Sequence, residues 1–204
     1  TVGHGLGTPP HFIIVKNTDG ANNWNVYHKE LGNTHGIYLD LTNDADDEVA
    51  LWNDTSPTNT VFSIGNGTGV NNSSSHEYMA YCWTPIKGYS AFGKYTGNGS
   101  ASDGPFIYLG FRPALLIIKS STESQPWYSF DTRIVGRNSR HMFLKPSSPD
   151  AEGSGSWPNY FSYTTTGFKA SNTSDAFNKN NATYIYAAFA EIPTKTARAH
   201  FNGI

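Results

Sequence analysis

An internal repeat constrains the fold of this 204-residue chain more than any other feature. The stretch "GTPPHFIIVKNTDGANNWNVYH", which begins at Gly7, returns in altered form as "GFRPALLIIKSSTESQPWYSFD" from Gly110. The two stretches align without a gap, so that Trp24 lies 103 positions before Trp127. A repeat of this length predicts two copies of one folding unit of about 100 residues.

Later parts of the chain continue the correspondence. Tyr38-Leu39 matches Phe143-Leu144, Trp52 matches Trp157, and "YMAYCW" from Tyr78 matches "YIYAAF" from Tyr184. The separation reaches 106 positions, as expected where loops absorb insertions while strands keep their order. We therefore predict a first unit over residues 1–87, a second over 88–192 and a tail over 193–204. The alternative is one continuous sandwich formed by interleaved copies.

The apolar runs within each copy predict the fold class. They are short, β-branched or aromatic, and bounded by glycine, proline, asparagine and serine, which is typical of strands joined by turns. The predicted fold is all-β, with two tandem β-sandwich modules of jelly-roll or concanavalin-like type and little helix. The continuous runs "ALLIIK" and "YIYAAFA" suit central strands, whereas the alternating runs "NVYH" and "MFLK" suit outer strands.

The segment between the two copies predicts a leader hairpin over residues 88–109. Aromatic runs flank "TGNGSASDG", which is a strong turn signal. Only "TVGHGL" stands before Gly7, so the first copy has no full leader, and we expect the native chain to continue upstream of Thr1. We expect the first unit to expose a strand edge that a neighbour covers, in a homo-oligomer with contacts at residues 1–8 and 193–204.

Charge and hydropathy exclude several classes of function. Charged residues make up 15% of the chain and the formal net charge is -2, which provides no basic surface for nucleic acid. The sequence contains no apolar run of the roughly 18 residues that a membrane span requires, so no membrane insertion is predicted. Cys82 is the single cysteine, and an intrachain disulfide is therefore impossible.

The repeat string resembles a known group of proteins. "GLGTPPHFIIVKN", "WNDTSPT", "GYSAFGKYTGNGSASDGPFIYLGFRPALLIIK" and "YIYAAFAEIP" are similar to repeat units of tail-fibre-like and other virion structural proteins of marine bacteriophages, including cyanophages. The resemblance covers nearly the whole chain. It implies a concanavalin-like β-sandwich located on the virion surface, with other virion proteins as partners. It implies no particular binding residues.

An acidic segment is the one candidate metal site. "NDADDEV" contributes Asp44, Asp46, Asp47 and Glu48, whose spacing partly matches a calcium loop. The segment lacks the glycine and the distal bidentate glutamate of such a loop, so a solvated acidic loop is the alternative. The seven histidines show no zinc-type spacing, and no cofactor is predicted.

Aromatic residues within polar loops are the candidate ligand contacts. Trp52 with Asp54, and Trp157 with Tyr160, precede strands in segments rich in asparagine, proline and serine. Exposed rings of this kind stack on sugars, but each tryptophan could equally cap the open end of its sandwich. Trp24 and Trp127 start a predicted strand among apolar runs, so for both of them we expect equivalent buried positions in the core.

No motif predicts an enzyme. The sequence has no G-x-S-x-G elbow and no phosphate loop, and no pair of carboxylates is marked out for glycan cleavage. We therefore expect a non-catalytic virion structural protein of a phage tail fibre or similar appendage, with a host-surface glycan as a further partner. The alternative is a carbohydrate-binding module or lectin that acts outside a virion.

Overall fold

Antiparallel strands make up almost all of the regular structure. The computed structural model describes residues 1–72, 75–132, 143–153 and 160–191. Val49–Trp52 is the one α-helix within these ranges, which contain no helix long and apolar enough to cross a membrane. The predicted all-β class is confirmed. The chain divides into two compact units, Thr1–Thr84 and Pro85–Ile204.

The first unit contains one large sheet and one small sheet. The large sheet has the order β5-β4-β3-β2-β7, and the small one pairs β1 with β6. Its elements are β1 (Val2–Gly3), β2 (Phe12–Asn17), β3 (Asn25–His28), β4 (His35–Tyr38), β5 (Asp46–Asp47), α1 (Val49–Trp52), β6 (Val61–Phe62) and β7 (Tyr78–Trp83).

One core cluster of the first unit lies on a single face of the large sheet. Alternate side chains of a strand point to the same face, which places Ile13 and Val15 of β2 beside Tyr27 of β3. The helix α1 and strand β6 close this face with Leu51, Trp52 and Phe62. In this unit a four-residue helix thus covers part of the face that strands cover in a larger sandwich.

The second unit has a five-stranded and a three-stranded sheet, in the orders β12-β11-β10-β15-β8 and β13-β14-β9. Its strands are β8 (Ser90–Thr96), β9 (Phe106–Tyr108), β10 (Pro113–Ser120), β11 (Tyr128–Asp131), β12 (Phe143–Leu144), β13 (Phe161–Tyr163), β14 (Gly167–Ala170) and β15 (Thr183–Ala190).

Aromatic rings join the two sheets of the second unit face to face. Phe130 of β11 contacts Phe161 of β13 edge to face, with ring centroids 5.4 Å apart. Phe168 of β14 meets Tyr186 of β15 in the same way at 5.6 Å. Edge-to-face contacts at such distances are favourable aromatic geometry. The sheets therefore form a sandwich with one shared aromatic core.

The main sheets of the two units share one pairing scheme. In each unit the first long strand, β2 or β10, pairs antiparallel with two neighbours in the same register, at the 103- and 106-residue separations seen in the sequence. The corresponding pairs include Ile13 with Tyr27 and Cys82 in the first unit, and Leu116 with Phe130 and Ala188 in the second.

The predicted leader hairpin is wrong. Strand β8 pairs with β15, whereas β9 pairs with β14 in the other sheet of the sandwich. The segment 97–105 therefore passes from one sheet to the other. Each aromatic run therefore pairs with a strand that lies far from it in the sequence.

Two expectations about individual strands and rings need correction. The run "NVYH" forms β3, the middle strand of its sheet with all four residues buried, and is not an outer strand. Trp127 is buried as expected, but Trp24 is only partly buried. The runs "ALLIIK" and "YIYAAFA" do form the central strands β10 and β15, and "MFLK" contributes the edge strand β12.

Candidate functional site

Trp52, the leading candidate for ligand contact, lies in the core. It ends helix α1 with only 1% of its surface exposed, and its ring meets Tyr27 edge to face at 5.7 Å. The segment after β6 packs closely on helix α1, because a Cβ atom at Gly65 would come within 2.3 Å of the Ala50 carbonyl oxygen. The expectation of an exposed Trp52 ring is wrong, since the polar loop hides a short helix whose apolar side faces inward.

The other predicted contact residues do not form a cleft either. Asp54 is exposed, in the left-handed conformation that also ends the helix at Asn53. Tyr160 is buried, with its ring centroid 4.6 Å from that of Phe177, so it cannot serve as an exposed platform. Trp157 lies outside the described residues.

The acidic segment does not gather into a metal site. Asp46 and Asp47 form the edge strand β5, and Glu48 turns away to accept a hydrogen bond of 2.6 Å from the Tyr38 hydroxyl. In the described ranges, no three histidine, cysteine, aspartate or glutamate side chains stand close enough to hold a metal ion. Asp46 and Asp47 are exposed, whereas Asp44 is partly buried.

Glu48 does line a small polar cavity in the first unit. The cavity measures about 190 Å³. It is lined by residues 21–23 and Asn25, by Tyr38, by Glu48 and Leu51, and by residues 67–69. No motif in the sequence analysis pointed to this cavity. The cluster of asparagines around Trp24 was the one sequence feature that could have indicated a polar cavity here.

Lys16 shapes one wall of this cavity. Its ammonium group donates hydrogen bonds to the carbonyl oxygens of Asn17, Gly20 and Asn22 at 2.7, 2.9 and 2.9 Å. Charge-assisted bonds of this kind are stronger than neutral ones. They hold the loop between β2 and β3 in place, so the wall is preformed.

Asn25 and Tyr38 define the interior of the cavity. The Asn25 amide donates to the carbonyl oxygen of Gly69 at 3.1 Å, and a Cβ atom on Gly69 would come within 2.4 Å of that amide nitrogen. Burial and the bond to Glu48 raise the pKa of Tyr38, so its hydroxyl stays protonated and keeps donating. The cavity offers one carboxylate and several amides, which suits binding of hydroxyl groups better than acid–base cleavage by two carboxyls.

A second surface of interest lies on β9 of the second unit. Phe106 is 50% exposed and Tyr108 is 71% exposed, while Ile107 between them is buried. Residues two apart on a strand share a face, so these rings form an exposed pair on the outside of the sandwich. We call this pair the β9 platform. A cavity of about 440 Å³ adjoins it, lined by Tyr108 together with Lys87 and Ser90.

The corresponding strand of the first unit has no such platform. Val2 pairs with Phe62 as Ile107 pairs with Phe168, which puts Thr1 and Gly3 in the places of Phe106 and Tyr108. The β9 platform is therefore a special feature of the second unit. The sequence shows that β9 contains large rings, but it does not show that they are exposed. The alternation of "FIY" does not reveal which face of the strand is buried.

Together the fold and these surfaces define a class: an all-β protein of antiparallel sheets that offers surface cavities and an exposed aromatic pair. The chain belongs to a family described as a domain of unknown function (DUF7483), whose model matches residues 1–193. No curated protein and no solved structure matches it.

Proposed function

We propose that this chain is a non-catalytic structural protein of a bacteriophage virion, part of a tail fibre or similar appendage. The observation that supports it is the recurrence of one strand-pairing scheme in two successive units. Two successive units with the same sheet suit a structural role, because each unit repeats the same backbone pairing. An active site, by contrast, needs one particular set of side chains. The resemblance of the repeat string to virion proteins supports a location at the particle surface.

The test of this role is direct localisation. Antibodies against the chain, carrying gold particles, are applied to virions purified from its natural source and viewed by electron microscopy. We expect labels along the appendages, and mass spectrometry of the same particles should detect the chain. Particles that carry neither label nor peptides would overturn the proposal.

We further propose that the chain works as a homo-oligomer that contacts other virion proteins. The first unit motivates this, because its smaller sheet has two strands, β1 and β6, where that of the second unit has three. Residues 1–8 remain one candidate contact segment, and the other, 193–204, lies outside the described residues. Light scattering at micromolar concentration should detect the oligomer, and a stable monomer unchanged by deletion of 193–204 would contradict it.

The β9 platform favours a second candidate, binding of a carbohydrate as in a lectin or carbohydrate-binding module, with a host-surface glycan as the ligand. Flat exposed rings offer apolar faces to sugars, and the adjoining cavity adds the Lys87 ammonium as a hydrogen-bond donor. Glycan-array binding that disappears in Tyr108→Ala would support it. Tyr81→Ala, which removes an exposed ring from the first unit, is the matched control and should keep the binding.

A further inference from the structure

The outer edge of β7 differs sharply from the same edge in the second unit. Strand β7 is the last strand of its sheet, while its counterpart β15 is covered by β8 along seven paired residues, from Thr183 with Thr96 to Phe189 with Ser90. Met79 and Tyr81 are 49% and 41% exposed. Their counterparts Ile185 and Ala187 are buried.

The backbone of β7 presents hydrogen-bonding groups at this edge. The carbonyl oxygens of Glu77 and Trp83 accept bonds from the β2 side, from Thr18 and His11. Because the direction of the backbone groups alternates along an antiparallel strand, those of Tyr78, Ala80 and Cys82 point the other way. In the described part of the chain no strand pairs with them there.

The second unit shows what an edge of this kind accepts. Strand β8 lies antiparallel on β15 and places Tyr95 in the core, where its ring stacks on Tyr184 with centroids 5.0 Å apart. The counterpart of Tyr184 is Tyr78, whose hydroxyl accepts a bond from the Asn72 backbone as that of Tyr184 does from Lys179. The first unit therefore holds a tyrosine at the position on which Tyr95 stacks in the second unit.

We propose that the β7 edge is a strand-acceptor site, occupied by an antiparallel strand of the β8 type from another module of the same family. Such strand addition uses main-chain hydrogen bonds for affinity and alternate side chains for specificity. The occupant carries an aromatic residue opposite Tyr78. This inference does not depend on the location of the chain in a virion.

One position distinguishes this occupant from β8 itself. Gly93 of β8 lies opposite Tyr186, and a Cβ atom there would come within 2.6 Å of the tyrosine hydroxyl oxygen. The β7 residue in the place of Tyr186 is Ala80, which leaves room for a larger side chain. We therefore expect the occupant of β7 to have a residue larger than glycine at this position.

The test supplies the missing strand in register. Strand β1 pairs with β6 as β9 pairs with β14, so Thr1 corresponds to Phe106. In the second unit, residues 88–105 directly precede Phe106. The test variant therefore carries a copy of residues 88–105 directly before Thr1 of the full chain. We expect amide hydrogen exchange at Ala80 and Cys82 to slow by at least about tenfold. Valine at the Gly93 position of the added copy should slow it further.

The matched control carries proline at the Ala91 and Gly93 positions of the added copy only. Proline removes the N–H groups that pair with the edge, so exchange at Ala80 and Cys82 should stay fast. A free peptide of residues 88–97, added to the unextended chain, tests the same pairing if the extended chain does not fold. Exchange that neither the extension nor the peptide slows overturns the proposal. Concentration-dependent protection in the unextended chain also overturns it, because the edge then pairs with a second copy of itself.

Discussion

The two units use one hydrogen-bonding scheme and two ways of filling a core. Strands β2 and β10 pair with their neighbours in the same register. Above that common sheet, the second unit places a three-stranded sheet rich in phenylalanine and tyrosine, whereas the first places a two-stranded sheet and the short helix that carries Trp52. Main-chain pairing thus tolerates large changes in what covers it, because the backbone groups are the same for any side chain.

The largest expected effect concerns the buried tryptophans. Trp52→Ala and Trp127→Ala each remove a ring that is 1% exposed, and each should lower the free energy of unfolding of its unit by about 3–5 kcal/mol. Trp24→Ala, at the partly buried counterpart of Trp127, should cost about 1–2 kcal/mol. Urea unfolding with probes in each unit measures these losses. Equal losses at Trp24 and Trp127 would contradict the difference in burial.

A smaller effect is expected where the second unit holds a glycine that the first replaces. A Cβ atom at Gly167 would come within 2.0 Å of the Ile107 carbonyl oxygen, so the backbone must shift in Gly167→Ala. We expect a loss of about 1–3 kcal/mol in chemical denaturation. The counterpart in the first unit is Val61, whose partner on the neighbouring strand is Gly3. Val61→Ala, the control, should lose clearly less.

Two matched tyrosines sharpen the comparison further. The buried Tyr184 hydroxyl accepts a bond from Lys179 and donates one to Asp175, both at 2.8 Å, whereas the corresponding bonds of Tyr78 are 3.1 and 3.5 Å long. Tyr184→Phe should therefore cost about 1–2 kcal/mol, measured by urea unfolding, and Tyr78→Phe less than half of that. A larger loss at Tyr78 would contradict this order.

The same tyrosine gives the second unit a pH dependence. Burial raises the pKa of Tyr184 from 10.0 to about 12. Because the folded state binds this proton more tightly than the unfolded state, the resulting stability is complete below pH 10 and is lost as the pH rises towards 12. Unfolding midpoints followed across this range should fall less steeply in Tyr184→Phe. A slope unchanged by the substitution would contradict the assignment.

The smallest effect is on reactivity and not on stability. Burial raises the pKa of the Cys82 thiol from 9.0 to about 11. Because the thiolate is the nucleophile, alkylation by iodoacetamide should reach half of its maximal rate near pH 11 in the folded chain. The midpoint should return to about 9 when the chain is unfolded in denaturant. Equal midpoints in the two states would show that β7 leaves this thiol in water.

The sequence predicted the positions of the strands better than it predicted which residues are exposed. The runs that became β10 and β15 were identified as central because continuous apolar character means burial on both faces. The alternation in "NVYH" failed as a guide, because Asn25 and His28 are buried polar residues inside the sheet. A polar side chain indicates an exposed position only where the fold offers it no hydrogen-bond partner.

The correspondence between copies also had a limit. The sequence matched Tyr38 to Phe143, but Ile37 pairs with Val26 as Leu144 pairs with Ser129, which moves the match by two residues. A shift of two keeps every side chain on its face of the sheet, so the apolar pattern alone cannot detect it. The candidate sites fared worse, since Trp52 and Tyr160 are buried and the exposed pair Phe106 and Tyr108 was taken only for strand.

The sequence by itself determined the all-β class and the correspondence of the main strands in the two copies, because local alternation and turn residues act over neighbouring positions. Only the tertiary structure decided that β8 and β9 enter different sheets, that Trp52 fills a core and that β7 ends its sheet. These features depend on which distant segment covers a given face or edge. Which segment covers a face or an edge is decided by packing between residues far apart in the chain, so it cannot be predicted from a local sequence pattern.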